Sequence, residues 1–343
     1  MSKHNSATVT PSPPASHESQ APRWFGLLAR GRRSRSMTTE GVLLFYIALI
    51  IYFWTSASHF MTYLNWVDIV STASVVLIVS LGQSLTIISG GFDLSVGGVV
   101  PLGAVVFAAL THGHTLSVGL SMILVVIVGA AVGGLNAIVI AIFKVNPLIA
   151  TLGTLSAAGG IAFTIAKGVT IQLPAAAGFL ANNGPGGIPV YTFAAVGLSL
   201  IVYVVLAHTA YGRRIYVVGG NAEAARVAGI SVTGVQFSVY MLSGILAAFA
   251  GIVYASQLLA AAGNVGSALT LTSVAAVVLG GAAITGGTGG VFGTTLGVLV
   301  LGTVADGMNL MLVPAFYQQI VTGGILLFAV SFSQMQGRFF KNR

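Results

Sequence analysis

Cysteine is missing from all 343 residues. That excludes disulfides, thiol nucleophiles and cysteine-based metal sites, and leaves nothing that reports a redox compartment. Charge is almost as scarce: 6% of residues are Asp, Glu, Lys or Arg, against 56% hydrophobic. Soluble domains are about one quarter charged, so this chain reads as one solvated by lipid. The acidic residues are Glu18, Glu40, Asp68, Asp93, Glu223 and Asp306. No two lie close enough in sequence to suggest a carboxylate pair for acid–base work. His112 and His114 lack a matched third ligand, and H-E-x-x-H, G-x-S-x-G and G-x-x-x-x-G-K-[S/T] are all absent. We expect no catalytic residue, no metal site and no ATP site on this chain.

Glycine, by contrast, is abundant at 45 residues, and it lets spanning helices approach closely. Apolar segments lie at 41–64, 68–89, 95–111, 117–143, 148–166, 191–208, 235–256, 271–284, 291–309 and 315–333. The expected fold is therefore an all-α polytopic membrane protein with about ten transmembrane helices. The third and eighth are short for a span, hence broken or re-entrant. If the chain starts inside and each segment crosses once, thirteen of the fourteen Lys and Arg residues face the cytoplasm, leaving only Lys167 outside. The positive-inside rule produces this asymmetry, puts both termini in the cytoplasm and explains the +8 balance without nucleic acid. Trp54, Tyr63 and Trp66 suit an outer aromatic belt. Residues 1–40, rich in Ser, Pro, His and then Arg, read as a disordered basic tail; 41–334 is the membrane domain and 335–343 a second basic tail. The outer stretch 168–189 is expected to be irregular.

One polar interruption organises the rest: TAYGRRIYVVGGNAEAARVAGI, residues 209–230. Gly219 and Gly220 are expected to break what precedes them. Asn221 then caps a short helix over 222–228, with Gly229 placed to end it. Glu223 and Arg226 suit the two ends of that helix and pair at a spacing of three. This loop is either a plain connector or a handle for a soluble partner.

Two further stretches carry polar residues into apolar surroundings. In ISGGFDLSVGG, residues 88–98, Asp93 follows a double glycine and precedes Ser95. A carboxylate at bilayer depth costs about 2.5–3.5 kcal/mol on insertion scales, so it needs a protected place. It either caps the next helix or, with Gly90 and Gly91, forms a hinge or lining of a solute path. In NPLIATLGT, residues 146–154, Pro147 suits a helix start. Thr151 and Thr154 either bond back to their own helix or offer hydroxyls to a solute. Gln83 and Gln257 carry the same two readings. A second glycine-rich break, residues 279–290, hints at internal duplication.

Together these stretches resemble the permease subunits of bacterial ATP-binding-cassette importers of the ribose, xylose and simple-sugar group. GGFDLSVGG (90–98) is similar to the family's GG-I-DLSVG signature, and NPLIATLGT (146–154) to its F-I-ATLG helix start. Residues 209–230 resemble its GR-x-x-YA-x-GGN-x-x-AAR-x-x-GI loop; VAAVVLGGAAITGGTGGVFGTTLG (274–297) matches its IAAVVLGG-x-x-x-GG stretch. The resemblance implies a pair of membrane subunits, expected to form a homodimer, in the bacterial inner membrane. It also implies two ATP-binding-cassette subunits that hold the ATP and Mg, and a periplasmic sugar-binding protein. It makes 209–230 the ATPase-coupling loop, with contacts from Gly212, Arg213, Arg214, Asn221, Glu223, Ala224, Ala225, Arg226 and Gly229. One departure stands out. Where the family reads E-L-D-A, this chain has Thr270-Leu271-Thr272-Ser273, which points to a different ligand or receiving surface. A branched-chain amino-acid permease of the same architecture and an ion-coupled secondary transporter are the rival readings.

Overall fold

The structure, a computed structural model, describes residues 23–327 except 265, 315 and 326; side chains are described from residue 40 onward, excluding also 114 and 267. Residues 1–37 and 38–343 fall into separate units, and the account below concerns the second.

Helix α1 covers Arg23–Ser56. Of the expected basic tail, 1–40, residues 1–22 lie outside the described residues. The chain continues through α2 (Tyr63–Ile88), α3 (Val96–Thr111), α4 (Val118–Ala137), α5 (Pro147–Ala166), α6 (Val190–His208), α7 (Ala210–Gly220), α8 (Ala222–Val227), α9 (Val232–Leu258), α10 (Ser267–Leu279) and α11 (Val291–Leu310). Residues 316–325 are helical as well, and the second basic tail, 335–343, lies outside the described residues. Among the described residues six helices are long and apolar enough to cross a membrane: α2, α4 with its continuation to Ile142, α5, α6, α9 and α11. Shorter apolar helices occupy Glu40–Ser56, Val96–Thr111 and Ala268–Leu279. The third and eighth expected segments are thus short, and so is the first.

Helix starts follow local chemistry. Thr62, Ser117, Asn146 and Ser231 each accept a hydrogen bond from a free backbone N–H of the first turn they precede, as caps should. The first expected span, 41–64, is shortened at Ser56, because a turn through His59 (φ 66°) lets Thr62 start α2. Helix α4 ends in a π-turn over Ile138–Ile142.

Helix α9 is the hub and packs along α2, α3 and α4. Its core neighbours include Ile78, Leu81, Val100 and Phe107, all fully buried. Its contact with α4 is made of backbone as much as side chain. A Cβ on Gly133 would stand 2.9 Å from Met241 Cα, and one on Gly244 2.9 Å from Gly133 Cα; only glycine permits this spacing. Helices α4, α5 and α6 leave most of their apolar surface uncovered, including Ile123, Ile149 and Leu200.

The stretch 168–189 is more ordered than expected. Ile171–Gln172 pairs antiparallel with Ala260–Ala261, and a 3-10 helix, Ala175–Ala181, packs on α9. Ser256 on α9 donates to the Ala177 carbonyl at 2.9 Å. These backbone groups pair because the stretch is held against α9, and unpaired buried amides are costly.

Candidate coupling loop and buried polar break

The loop 209–230 folds as two short helices. Thr209 Oγ1 accepts from Gly212 N at 3.1 Å and starts α7. Contrary to expectation, Gly219 and Gly220 lie inside α7, and the interruption falls at Asn221 (φ −161°, ψ 101°). Asn221 Oδ1 accepts from Glu223 N and Ala224 N, both at 3.0 Å, which caps α8. At the other end Gly229 (φ 76°) takes the left-handed conformation that closes a helix without strain. Its N–H donates to Arg226 O at 2.9 Å, and Ile230 N donates to Ala225 O at 2.9 Å. Arg226 Nη1 meets Glu223 Oε2 at 2.7 Å, on an exposed face.

The nine predicted contact residues separate by orientation. Arg213, Arg214, Asn221, Glu223, Ala224, Arg226 and Gly229 are exposed. Gly212 and Ala225 are buried. Gly212 packs against α6, where a Cβ would stand 2.6 Å from Leu206 Cα, so these two support the loop from within. Sequence reasoning missed Val227, which is 85% exposed, an apolar residue at the tip of a polar loop. Tyr211 anchors the loop from below through a 2.6 Å contact with Ser238 on α9. Burial pushes the Tyr211 hydroxyl above its ordinary pKa, more than the Ser238 bond lowers it, so it stays protonated.

The second feature is the break between α2 and α3. Gly90 (φ 85°) closes α2, with Gly90 N donating to Ile87 O and Gly91 N to Thr86 O. Residues 278–282 repeat this pattern: Gly281 N donates to Val278 O and Ala282 N to Val277 O. The same turn ends α8, so it reflects glycine's backbone freedom and is not evidence of duplication.

Asp93 follows the break, fully buried. Its Oδ1 accepts from Ser95 N at 3.0 Å and from the Ser95 hydroxyl. The carboxylate therefore braces the turn that leads into α3, while the N-cap residue of that helix, Ser95, makes no side-chain capping bond to it. Ser95 Oγ in turn accepts from Asn136 Nδ2 at 2.8 Å, and Thr154 Oγ1 donates to Asn136 Oδ1 at 2.6 Å. Tyr240 Oη donates to Phe92 O at 3.2 Å, and Thr270 Oγ1 to Leu94 O at 3.4 Å. One polar chain thus ties α4, α5, α9 and α10 to the break. Thr270, one of the residues standing where the family carries an acid, is a buried partner of the break, not an outer surface group.

Asp93 Oδ2 and both amide atoms of Gln83 are buried with no hydrogen bond among the described residues. Thr151, fully buried, bonds back to Pro147 O at 2.7 Å. Gln257 is half-buried near the end of α9 and joins neither feature. Asn136 was missed by sequence reasoning. A single amide in an apolar helix reveals its partners only once the helices are packed. Among the described residues no group of three or more His, Asp or Glu side chains could hold a metal ion.

Comparison with known proteins follows the same residues. The model of the branched-chain amino acid transport system / permease component family matches residues 65–330. The ribose import permease protein RbsC of Bacillus subtilis is 37% identical over 279 residues, 79% of this chain and 85% of that protein. The galactose/methyl galactoside import permease protein MglC of Salmonella typhimurium is 34% identical over 315 residues, covering 86% and 93%. A probable ABC transporter permease, y4mJ of Sinorhizobium fredii, is 35% identical over 303 residues, covering 87% and 88%. No solved structure matches the chain. With the family model matching residues 65–330, a range that holds both the loop and the break, and with relatives named for sugar import similar over most of both chains, the chain belongs to this family of transport-system permease components.

Proposed function

We propose that this chain is the membrane subunit of an ATP-driven importer and forms the path for a monosaccharide handed over by a periplasmic binding protein. The supporting observation is the similarity, over 79% and 86% of this chain, to permeases named for ribose and for galactose import, together with a family match whose range, 65–330, includes 209–230. Two copies in the inner membrane act with two ATP-binding-cassette subunits, which hold the ATP and Mg. Each copy crosses about ten times, short helices included, with both termini cytoplasmic, a reading that the distribution of Lys and Arg supports.

In this reading the exposed residues Arg213, Arg214, Asn221, Glu223, Ala224, Arg226 and Gly229 meet the ATPase. Gly90 and Gly91 act as the hinge, and Asp93, Ser95 and Thr154 hold the break through Asn136. Gln83 is the buried polar group left to meet a hydroxylated solute when the helices part. Thr151 and Gln257 are structural.

The family model carries the name of branched-chain amino acids, so cargo needs a direct test. Uptake of radiolabelled ribose, galactose, arabinose and leucine should be compared in cells with and without the gene. Gene-dependent accumulation of a sugar is expected. Gene-dependent accumulation of leucine alone would overturn the choice of cargo.

A further inference from the structure

The end of α7 touches the membrane part in an unusual way. A Cβ on Gly219 would overlap the carbonyl oxygen of Ile88, the last residue of α2, and would stand 2.8 Å from Gly287 N. Gly287 N itself donates to Ile88 O at 2.9 Å. A Cβ on Gly286 (φ 87°) would stand 2.7 Å from both Gly219 O and Gly90 Cα. Beside this contact Tyr216 Oη, on α7, donates to Gly289 O at 3.0 Å. Three backbones therefore meet with no side chain between them: the end of α7, the end of α2 and the glycine loop after α10.

From this geometry we infer that Gly219, Gly286 and the Ile88–Gly90 turn form a transmission joint passing movement of the cytoplasmic loop to two interrupted membrane helices at once. Rotamer changes absorb small displacements where side chains pack, whereas backbone against backbone at contact distance leaves no such slack. The joint is placed to be driven and to act. Asn221, the cap of α8, is two residues beyond Gly219, and Asp93, with its polar chain to α4 and α5, is three residues beyond Gly90. Displacing α8 therefore moves the Ile88 carbonyl and the Gly286–Gly287 turn together. Side-chain bulk at the joint would hold the three backbones apart and disconnect them.

The inference rests on the reading of the chain as an ATP-coupled permease, and the test separates the two. The complete transporter, reconstituted in proteoliposomes with its ATPase and binding protein, is assayed for solute moved per ATP hydrolysed. Gly219→Ala should lower that ratio at least about fivefold, within the usual range of coupling effects. Gly220→Ala, where a Cβ meets nothing within 4 Å, should stay within about twofold of wild type. Tyr216→Phe leaves the shape intact and removes the bond to Gly289 O, and should lower the ratio about threefold. An unchanged ratio in Gly219→Ala, or equal losses at 219 and 220, would overturn the joint. If Gly219→Ala does not assemble, an unchanged ratio in Tyr216→Phe overturns it. Absence of any ATP-driven uptake by the wild-type complex would instead refute the transport reading.

Discussion

At the scale of single residues, Asn136 and Gln83 make an informative pair. Both are amides buried in apolar helices, yet Asn136 is satisfied on both sides and Gln83 has no hydrogen bond among the described residues. Replacing Asn136 by Leu removes two hydrogen bonds, leaving Ser95 Oγ with Asp93 and Thr154 Oγ1 with the Ala150 carbonyl, and should cost about 0.5–1.5 kcal/mol for each bond lost. Replacing Gln83 by Leu removes a group that burial already penalises, so it should be neutral or stabilising. Thermal unfolding of the purified protein in detergent checks both: the melting temperature should fall for Asn136→Leu and hold or rise for Gln83→Leu. The same pair marks the limit of sequence reading. Asp93 was legible because a carboxylate after two glycines in a membrane segment needs protection, and Ser95 two residues on supplies it. The partnership of Asn136 with Ser95 spans two separate helices and has no local signal. The inward orientation of Gly212, in contrast, was available from its spacing with the apolar Ile215 and Val218, residues that share one helix face.

Among the elements, α8 depends more on its cap than on its ion pair. Asn221→Ala removes the acceptor of two backbone donors and should cost about 1 kcal/mol. Amide exchange at Glu223 and Ala224 should then accelerate about fivefold. The Glu223–Arg226 pair is largely exposed, with side chains 76% and 52% accessible, and pairs of this kind are worth about 0.2–0.5 kcal/mol. Glu223→Gln should therefore change the same exchange rates by less than about threefold. Equal acceleration in the two variants would contradict the assignment of the cap. The cap itself was readable from Asn-Ala-Glu. The continuation of α7 through Gly219 and Gly220 was not, because glycine's low helix propensity argues for a break. Packing decides otherwise at Gly219, which stays helical where α7 approaches the Ile88 carbonyl without a side chain.

For the whole molecule, glycine content and scarcity of charge established a helical membrane bundle, and the apolar segments located its helices. Which helices are central was hidden. Helices α2, α9 and α11 bury most of their surface while α5 buries little, although all four read as similarly apolar strings. The division follows from where glycines on different helices face each other, a property of the packed bundle. The rival, an ion-driven carrier, depends on intramembrane carboxylates that exchange their partners; here Asp93 is held through Oδ1 by Ser95 with Oδ2 unpaired among the described residues, and Asp306 accepts from Asn65 Nδ2 at 2.9 Å near the start of α2. The decisive measurement is solute uptake by proteoliposomes holding the permease, its ATPase and the binding protein, energised either by enclosed ATP or by an imposed proton or sodium gradient. Accumulation should require ATP and a hydrolysis-competent ATPase; accumulation driven by a gradient with the ATPase omitted would contradict the account.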